Sequence, residues 1–254
     1  MEELPLYDDA SRKKLTLTEY ARRMLRFQHM DFEYTTWQML YLCVNPRRIY
    51  RTTTSHARIR HQWARDDPAF VVILLYLLAV ASLAWCLAFG FSGGETTATI
   101  LYVLLVDFLA VSAVLASVGW WLSNTYLNET TAGTTEWSSG TGGGQQAESV
   151  EWRYAFDVHC NSFVPLFLLL YVLQFLLLPV LLRDGHLAAL LSNTLYLAAF
   201  CVYHYLTFLG YSELPYLRHP EYFVYPIAPI AAAYVLLLLL NENCTVLVVD
   251  WYFG

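Results

Sequence analysis

The stretch "LYVLLVDFLAVSA", residues 101–113, places a carboxylate, Asp107, among almost exclusively apolar neighbours. It belongs to one of five long apolar blocks, which lie at 70–90, 98–122, 163–182, 187–210 and 222–240. Each block has the roughly 20 residues that a helix needs to cross a hydrocarbon core of about 30 Å. None alternates between apolar and polar residues as a barrel strand does. The sequence therefore predicts an all-α integral membrane protein with five transmembrane helices.

The composition supports the same fold class. Of 254 residues, 57% are hydrophobic and 14% are charged, which is more apolar than an ordinary soluble domain. We expect a cytosolic N-terminal region at 1–68 and a five-span membrane domain at 69–254. Within that domain we expect a flexible cytosolic loop at 123–150, because it is rich in Gly, Ser and Thr and contains no Lys or Arg. We also expect a lumenal tail at 241–254.

The positions of Lys and Arg predict the orientation, because these residues accumulate in cytosolic segments. With the N-terminus in the cytosol, Arg153 and Arg218 are cytosolic too, and only Arg183 lies on the far side. The other basic residues all precede the first span: Arg12, Lys13, Lys14, Arg22, Arg23, Arg26, Arg47, Arg48, Arg51, Arg58, Arg60 and Arg65. We therefore predict a cytosolic N-terminus and, after five crossings, a lumenal C-terminus.

Two helices are predicted before the first span. Thr16 and Glu19 fit a capping box that opens an amphipathic helix at the membrane interface. Asp31 is a candidate N-cap for a second helix of about thirteen residues, which ends at Asn45-Pro46. This helix is too short to span, and it either lies in the interface or packs under the bundle. Candidate lipid-facing or partner-facing residues are Arg22, Arg23, Arg26, Trp37, Arg47, Arg48 and Arg51.

Pro and Asp residues mark where two of the spans begin. We expect Asp67 to cap the first span, with Pro68 at its first helical position. Pro226 and Pro229 predict a kink or an irregular start in the fifth span.

No motif in the chain indicates catalysis or a bound cofactor. The sequence contains neither G-x-S-x-G in a span nor H-E-x-x-H, and Asp107 is the only carboxylate inside an apolar block. Asp157, His159 and Cys160 are ligand-type residues, but no second cluster completes a metal site. We expect these three side chains to make local hydrogen bonds where the third span begins. A non-enzymatic protein without metal or cofactor is the interpretation that we favour.

Asp107 leaves two hypotheses open. An acid inside a membrane is by default a functional candidate, and a small proton- or cation-coupled transporter is one possibility. The alternative is structural. At about 1.5 Å per residue, four polar residues fall near one depth: Ser82, Asp107, Gln174 and Asn193. A protonated Asp107 that donates to Gln174 and accepts from Ser82 fixes the register of the helices without a net charge.

Four stretches together resemble the uncoordinated-fifty family of multi-pass Golgi membrane proteins, whose architecture is similar to that of the Yip-type Golgi proteins. They are "RMLRFQHMDFEYTTWQMLYLCVNPRRIYR" (23–51), "QWARDDPAF" (62–70), "VEWRYAFDVHCNSF" (150–163) and "TFLGYSELPYL" (207–217). They occur in the family's order between about residues 20 and 240. The loop at 123–150 differs, because relatives have a shorter and more basic connection there.

The resemblance implies a role in vesicular traffic. Partners that it implies are large Arf-activating exchange factors, coat machinery and membrane cargo such as ligand-gated channels. It implies location in the Golgi membrane, with cycling to the endoplasmic reticulum or the inner nuclear membrane as an alternative. RNA binding is also attributed to part of the family, and the basic segment 47–65 is the only place here that could support it. The family has no established catalytic or binding residues to carry over.

Overall fold

The computed structural model describes residues 30–51, 63–65, 67–128 and 149–254. Within these ranges the chain forms helices and a single isolated bridge between Asn128 and Leu217, with no strand. The helices are α1 (Phe32–Val44), α2 (Ala69–Ala88), α3 (Gly93–Leu127), α4 (Trp152–Leu181), α5 (His186–Ser212), α6 (Pro220–Leu240) and α7 (Cys244–Phe253). Helices α2 to α6 are each long and apolar enough to cross a membrane, which confirms the predicted fold class.

The outside of the bundle is apolar, as a lipid-facing surface requires. Large aliphatic side chains are exposed on every one of the five long helices, among them Leu87, Leu105, Leu176, Leu187 and Leu239. A water-soluble monomer rarely exposes a continuous apolar surface of this extent. The five helices therefore form the membrane-spanning part of the protein.

Helix α3 is longer than the apolar block that predicted it, at both ends. It begins at Gly93 because Ser92 and Glu95 form a capping box, in which each side chain binds the other residue's backbone N–H. It continues to Leu127 through a π-helical segment, Ser123–Leu127. The predicted loop at 123–150 is therefore wrong over its first five residues. Asn124 explains the difference, because its amide group exchanges two hydrogen bonds with the backbone of Val150.

Helix α4 begins at Trp152, eleven residues before the apolar block, so most of "VEWRYAFDVHCNSF" is helical and leads directly into the third span. Helix α6 begins irregularly, as its prolines predicted. A 3₁₀ turn at Pro220–Val224 precedes the regular helix, which runs from Ile227 to Leu240.

Helix α4 is at the centre of the bundle and packs against both α3 and α5. Its contact with α5 is tight at Gly210, where an added Cβ would lie 2.8 Å from the methyl groups of Val158. The Tyr154 hydroxyl donates a 2.6 Å hydrogen bond to the Gly210 carbonyl at the same level. Small residues at such contacts let helix backbones approach within a membrane.

Helix α1 packs across α2 and α4 through a face that buries Thr35, Gln38, Met39 and Leu42. The predicted N-cap is confirmed, since the Asp31 carboxylate accepts from the backbone N–H of Tyr34 at 2.9 Å. The helix ends before Asn45, also as predicted. Of the two positions left open for this helix, the structure shows packing against the bundle for one face, while the opposite face stays exposed.

Asp67 joins α1 to α2. One carboxylate oxygen accepts from the Ala69 N–H at 2.9 Å. The N-cap of α2 is nevertheless Pro68, so the prediction of Asp67 as the N-cap is wrong by one residue. The other carboxylate oxygen of Asp67 accepts from the Asp31 N–H at 3.1 Å. The helix itself begins at Ala69, one residue later than predicted, and Pro68 directly precedes it.

Candidate functional site

The exposed face of α1 is the first candidate site. Four of its side chains recur every three or four residues and are aromatic or aliphatic: Tyr34, Trp37, Leu40 and Val44. Trp37 packs against Tyr41, with 3.7 Å between the ring centroids and 30° between the ring planes. Because the opposite face is already buried in the bundle, this apolar stripe is available to a membrane surface or to another protein.

Basic residues follow directly on this stripe. Residues 46–51 are helical, and Arg47, Arg48 and Arg51 are all exposed. Arg47 Nε donates a 2.9 Å hydrogen bond to the hydroxyl of Tyr205 on α5. The Arg48 guanidinium lies 5.3 Å from the ring centroid of Tyr41. We call this the α1 surface, composed of Tyr34, Trp37, Leu40, Val44, Arg47, Arg48 and Arg51.

The structure thus places four of the predicted lipid-facing or partner-facing residues on one surface. These are Trp37, Arg47, Arg48 and Arg51. The other three, Arg22, Arg23 and Arg26, lie outside the described residues and remain predictions.

A polar cluster attaches the segment before α2 to the beginning of α4. The Arg65 backbone N–H donates to the Asp157 carboxylate at 2.7 Å, and the Arg65 side chain donates to Asn161. The Arg65 guanidinium also lies 4.1 Å from the ring centroid of Phe70. Tyr50 is buried beside this cluster, and burial raises the pKa of its phenol. The cluster holds the end of the α1 surface against the bundle.

Asp157 and His159 both make hydrogen bonds, but to distant residues and not the local bonds that the sequence predicted. Asp157 accepts from Arg65, and His159 Nδ1 lies 2.7 Å from the Tyr203 hydroxyl on α5. The partner of Asp157 is 92 residues away in the chain rather than local. Asp157 therefore joins α4 to the segment before α2, and His159 joins α4 to α5.

The second candidate site is the predicted polar layer inside the bundle, where the hydrogen-bond partners differ from those predicted. Asp107 accepts a 2.6 Å hydrogen bond from the Tyr252 hydroxyl, in place of the predicted bonds with Gln174 and Ser82. Gln174 Nε2 donates to the hydroxyls of Tyr196 and Thr245, at 3.0 and 3.2 Å. Ser82 is buried, and its hydroxyl has no partner among the described residues.

Asn193 is bonded at the beginning of α7. Its amide nitrogen donates to the Glu242 carbonyl at 2.8 Å, and its amide oxygen accepts from the Cys244 N–H at 3.0 Å. Three of the four predicted residues therefore bind α7 or the residues leading into it: Asp107, Gln174 and Asn193. The layer positions the C-terminal helix, which the sequence analysis had treated as a tail.

Helix α7 lies across the bundle from α5 to α2. Asn243 caps it by accepting from the N–H groups of Thr245 and Val246, and its own amide donates to the Leu181 carbonyl at 2.7 Å. At the other end, Phe253 stacks on Phe89 with 4.5 Å between ring centroids. Sequence reasoning missed this helix and the roles of Thr245 and Tyr252. An Asn N-cap followed by ten mostly apolar residues is the signal that could have predicted it.

The comparisons with known proteins agree on one family. The family model described as "UNC-50 family" matches residues 20–253. The chain is 44% identical to "Protein unc-50 homolog" of Dictyostelium discoideum, over 96% of this chain and 90% of the relative. It is 39% identical to the human protein of the same name, over 92% of this chain and 86% of the relative.

A fungal protein is similar to the chain to about the same degree. "Protein GMH1 homolog" of Schizosaccharomyces pombe is 38% identical, over 91% of this chain and 95% of the relative. No solved structure matches the chain significantly. The family match extends over nearly the whole chain and confirms the resemblance found in the four sequence stretches. The chain therefore belongs to the UNC-50 family.

Proposed function

We propose that this membrane protein supports vesicular protein traffic at the Golgi by presenting the α1 surface to cytosolic trafficking machinery. The proposed partners are large Arf exchange factors or coat proteins. The proteins whose transport is supported are membrane cargo such as ligand-gated channels. The role is non-enzymatic. Family membership supports the proposal through what the resemblance implies about traffic, location and partners.

The observation that carries the proposal is the double-faced α1. One face is held in the bundle by four buried residues, while the other exposes an apolar stripe that ends in three arginines. Aromatic residues and Arg are the types enriched at the centre of protein–protein interfaces. A helix fixed at the end of a membrane bundle also presents its surface in a constant orientation, which lowers the entropic cost of docking.

Proximity labelling from the N-terminus in living cells tests the proposal. The wild-type protein is compared with an Arg47→Glu/Arg48→Glu/Arg51→Glu triple variant and with a Trp37→Ser/Leu40→Ser/Val44→Ser triple variant. Triple changes are needed because each surface basic residue contributes only about 1 kcal/mol to attraction by an anionic membrane. We expect both variants to lose labelling of Arf exchange factors by about tenfold or more, since 1.4 kcal/mol is a factor of ten.

Two controls isolate the α1 surface. Arg183→Glu changes an exposed arginine between α4 and α5, at the end of α4 away from α1, and should leave labelling unchanged. Tyr205→Phe removes the acceptor of Arg47 while keeping all charges, so that loss of the charge and loss of this contact are separated. If both triple variants, at normal expression, label Arf exchange factors as strongly as the wild-type protein does, the proposal is contradicted. Loss of labelling in Arg183→Glu as well would show an effect on the whole protein instead of this surface.

A further inference from the structure

We propose that a cavity between the spanning helices and α7 binds the hydroxyl end of a neutral lipid, such as a sterol or a diacylglycerol. The cavity has a volume of about 230 Å³, and residues of α2, α3, α4, α5 and α7 line it. Cavities of about 150 Å³ are large enough to bind benzene. This one therefore has room for a ring or a short length of acyl chain. The proposal is independent of the role assigned to the α1 surface.

The cavity contains an unused hydrogen-bonding group. The Ser82 side chain lines the cavity and is 4% exposed, and its hydroxyl has no partner among the described residues. A buried polar atom without a partner is destabilising, and native structures rarely leave one unexplained. A ligand hydroxyl that bonds Ser82 Oγ removes this penalty.

A second polar group in the cavity offers an acceptor. Gln174 uses both hydrogens of its amide nitrogen on Tyr196 and Thr245. Its contribution to a ligand is then its amide oxygen, which accepts. Ser82 can donate and Gln174 can accept, and a hydroxyl group can satisfy both because it donates and accepts through the same oxygen.

The remaining lining determines that the ligand is neutral and mostly apolar. None of the residues that line the cavity within the described part of the chain is Asp, Glu, Lys or Arg. A charged headgroup would lose its hydration there without gaining an opposite charge. Trp85, Leu170 and Phe253 contribute apolar surface instead.

The backbone around the cavity departs from regular α-helix on two sides. The π-helical segments Val103–Ala110 in α3 and Leu168–Leu173 in α4 both supply lining residues: Val103, Leu170 and Tyr171. Such π-helical segments are rare in proteins as a whole. Those that occur are often found at functional sites, because they shift the side chains of a helix out of its regular register. Their meeting at one cavity supports a binding site here.

Helix α7 forms one wall, through Val248, Tyr252 and Phe253. Tyr252 reaches past the cavity to Asp107. A ligand in the cavity therefore contacts the same helix that the polar layer holds in place.

Photoaffinity labelling of the full-length protein in nanodiscs tests the proposal. Clickable photoactivatable cholesterol and diacylglycerol serve as separate arms, and phosphatidylcholine with the same photoreactive tail serves as the reference probe. We expect one of the two hydroxyl lipids to label the protein saturably, in competition with its unlabelled form, at peptides from α2, α3 or α7. The arm that labels identifies the lipid class. Equal, non-saturable labelling by all three probes would overturn the proposal.

Matched variants connect the label to the cavity. Val103→Phe fills the cavity from its α3 wall and should abolish saturable labelling. Ser82→Ala removes one hydrogen bond to the ligand and should raise the probe concentration that gives half-maximal labelling about fivefold. Ser112→Ala is the control, because Ser112 is equally buried, also has no partner among the described residues and does not line the cavity. Unchanged saturable labelling in Val103→Phe would overturn the proposed site.

A binding-independent measurement guards against a variant that fails to fold. Size-exclusion profiles and the midpoint of thermal unfolding are measured for each variant without added lipid. Ser82→Ala and Ser112→Ala should both keep the wild-type profile, since each removes only a hydroxyl that bonds nothing described. If added hydroxyl lipid then raises the midpoint of Ser82→Ala as much as that of wild type, Ser82 is not part of the site and the proposal fails.

Discussion

Asp107 is the residue whose position in an apolar stretch first required explanation, and its partner is the Tyr252 hydroxyl at 2.6 Å. The two residues are 145 positions apart in the chain. The bond lies between a helix of the bundle and the C-terminal helix, so it connects elements that no local pattern joins. This geometry fits the structural hypothesis, in which the acid is a fixed packing partner.

Substitutions at Asp107 distinguish that structural role from a transporter. Asp107→Asn keeps an acceptor for Tyr252 and should largely preserve folding and complementation of a strain that lacks the endogenous protein. Asp107→Leu should destabilise the bundle by about 0.5–2 kcal/mol, the range for hydrogen bonds between membrane helices. Tyr252→Phe should cause a similar loss, with little further loss in the Asp107→Leu/Tyr252→Phe double variant.

Expression level and unfolding midpoint are measured for each variant. Tyr102→Phe is the control, because Tyr102 contacts the ring of Tyr252 and makes no hydrogen bond to Asp107. A well-expressed Asp107→Asn protein that fails to complement the strain would contradict the structural role of Asp107 and favour ion or proton coupling.

At the scale of the elements, the contact between α4 and α5 depends on a missing side chain. Gly210 lies against Val158 with no room for a Cβ, and the Tyr154 hydroxyl bonds its carbonyl. Both α4 residues come from the segment that also binds Arg65.

Gly210→Ala should destabilise the protein by about 1–3 kcal/mol, because a methyl group inserted into a packed contact displaces its neighbours. The Val158→Ala/Gly210→Ala double variant should recover part of the loss by making room. Gly94→Ala provides the matched control, since its added Cβ would meet nothing within 4 Å. Chemical or thermal unfolding in detergent measures all three. Equal midpoints for Gly210→Ala and Gly94→Ala would show that this contact relaxes without cost.

At the scale of the whole molecule, α1 and α7 lie at different ends of the bundle. Helix α1 is joined to the beginning of α2, whereas Phe253 of α7 stacks on Phe89, which directly follows the last residue of α2. With the predicted orientation, the α1 surface faces the cytosol and α7 lies on the lumenal side. The proposed partner surface and the proposed lipid cavity then belong to opposite halves of the membrane.

Protease protection in sealed vesicles tests this orientation. The N-terminus and residues 128–150, between α3 and α4, should be digested, and a tag joined to the C-terminus by a spacer should be protected. The spacer matters because α7 is docked and could resist protease by its packing alone. Digestion of the tag after detergent is added provides the control. Protection of residues 128–150 would overturn the predicted topology.

Sequence alone determined the five spanning helices. About 20 consecutive apolar residues in a helix match the thickness of the hydrocarbon core, and the helix pairs every backbone polar group within the segment. It also determined the N-cap at Asp31, since capping depends on residues within one turn. The family followed from four ordered stretches. These properties depend on neighbours in the chain and can be read without the fold.

Only the tertiary structure determined which residues meet across the bundle. Depth arithmetic placed Asp107, Gln174, Ser82 and Asn193 at one level, but depth contains no information on the rotation of each helix about its axis. Rotation is set by packing, and here it directs three of these residues to α7, a helix too short to be recognised as a span. The Ser82 cavity and the exposed stripe on α1 likewise arise from how neighbouring helices pack, because a surface becomes buried, hollow or exposed only when its neighbours are in place.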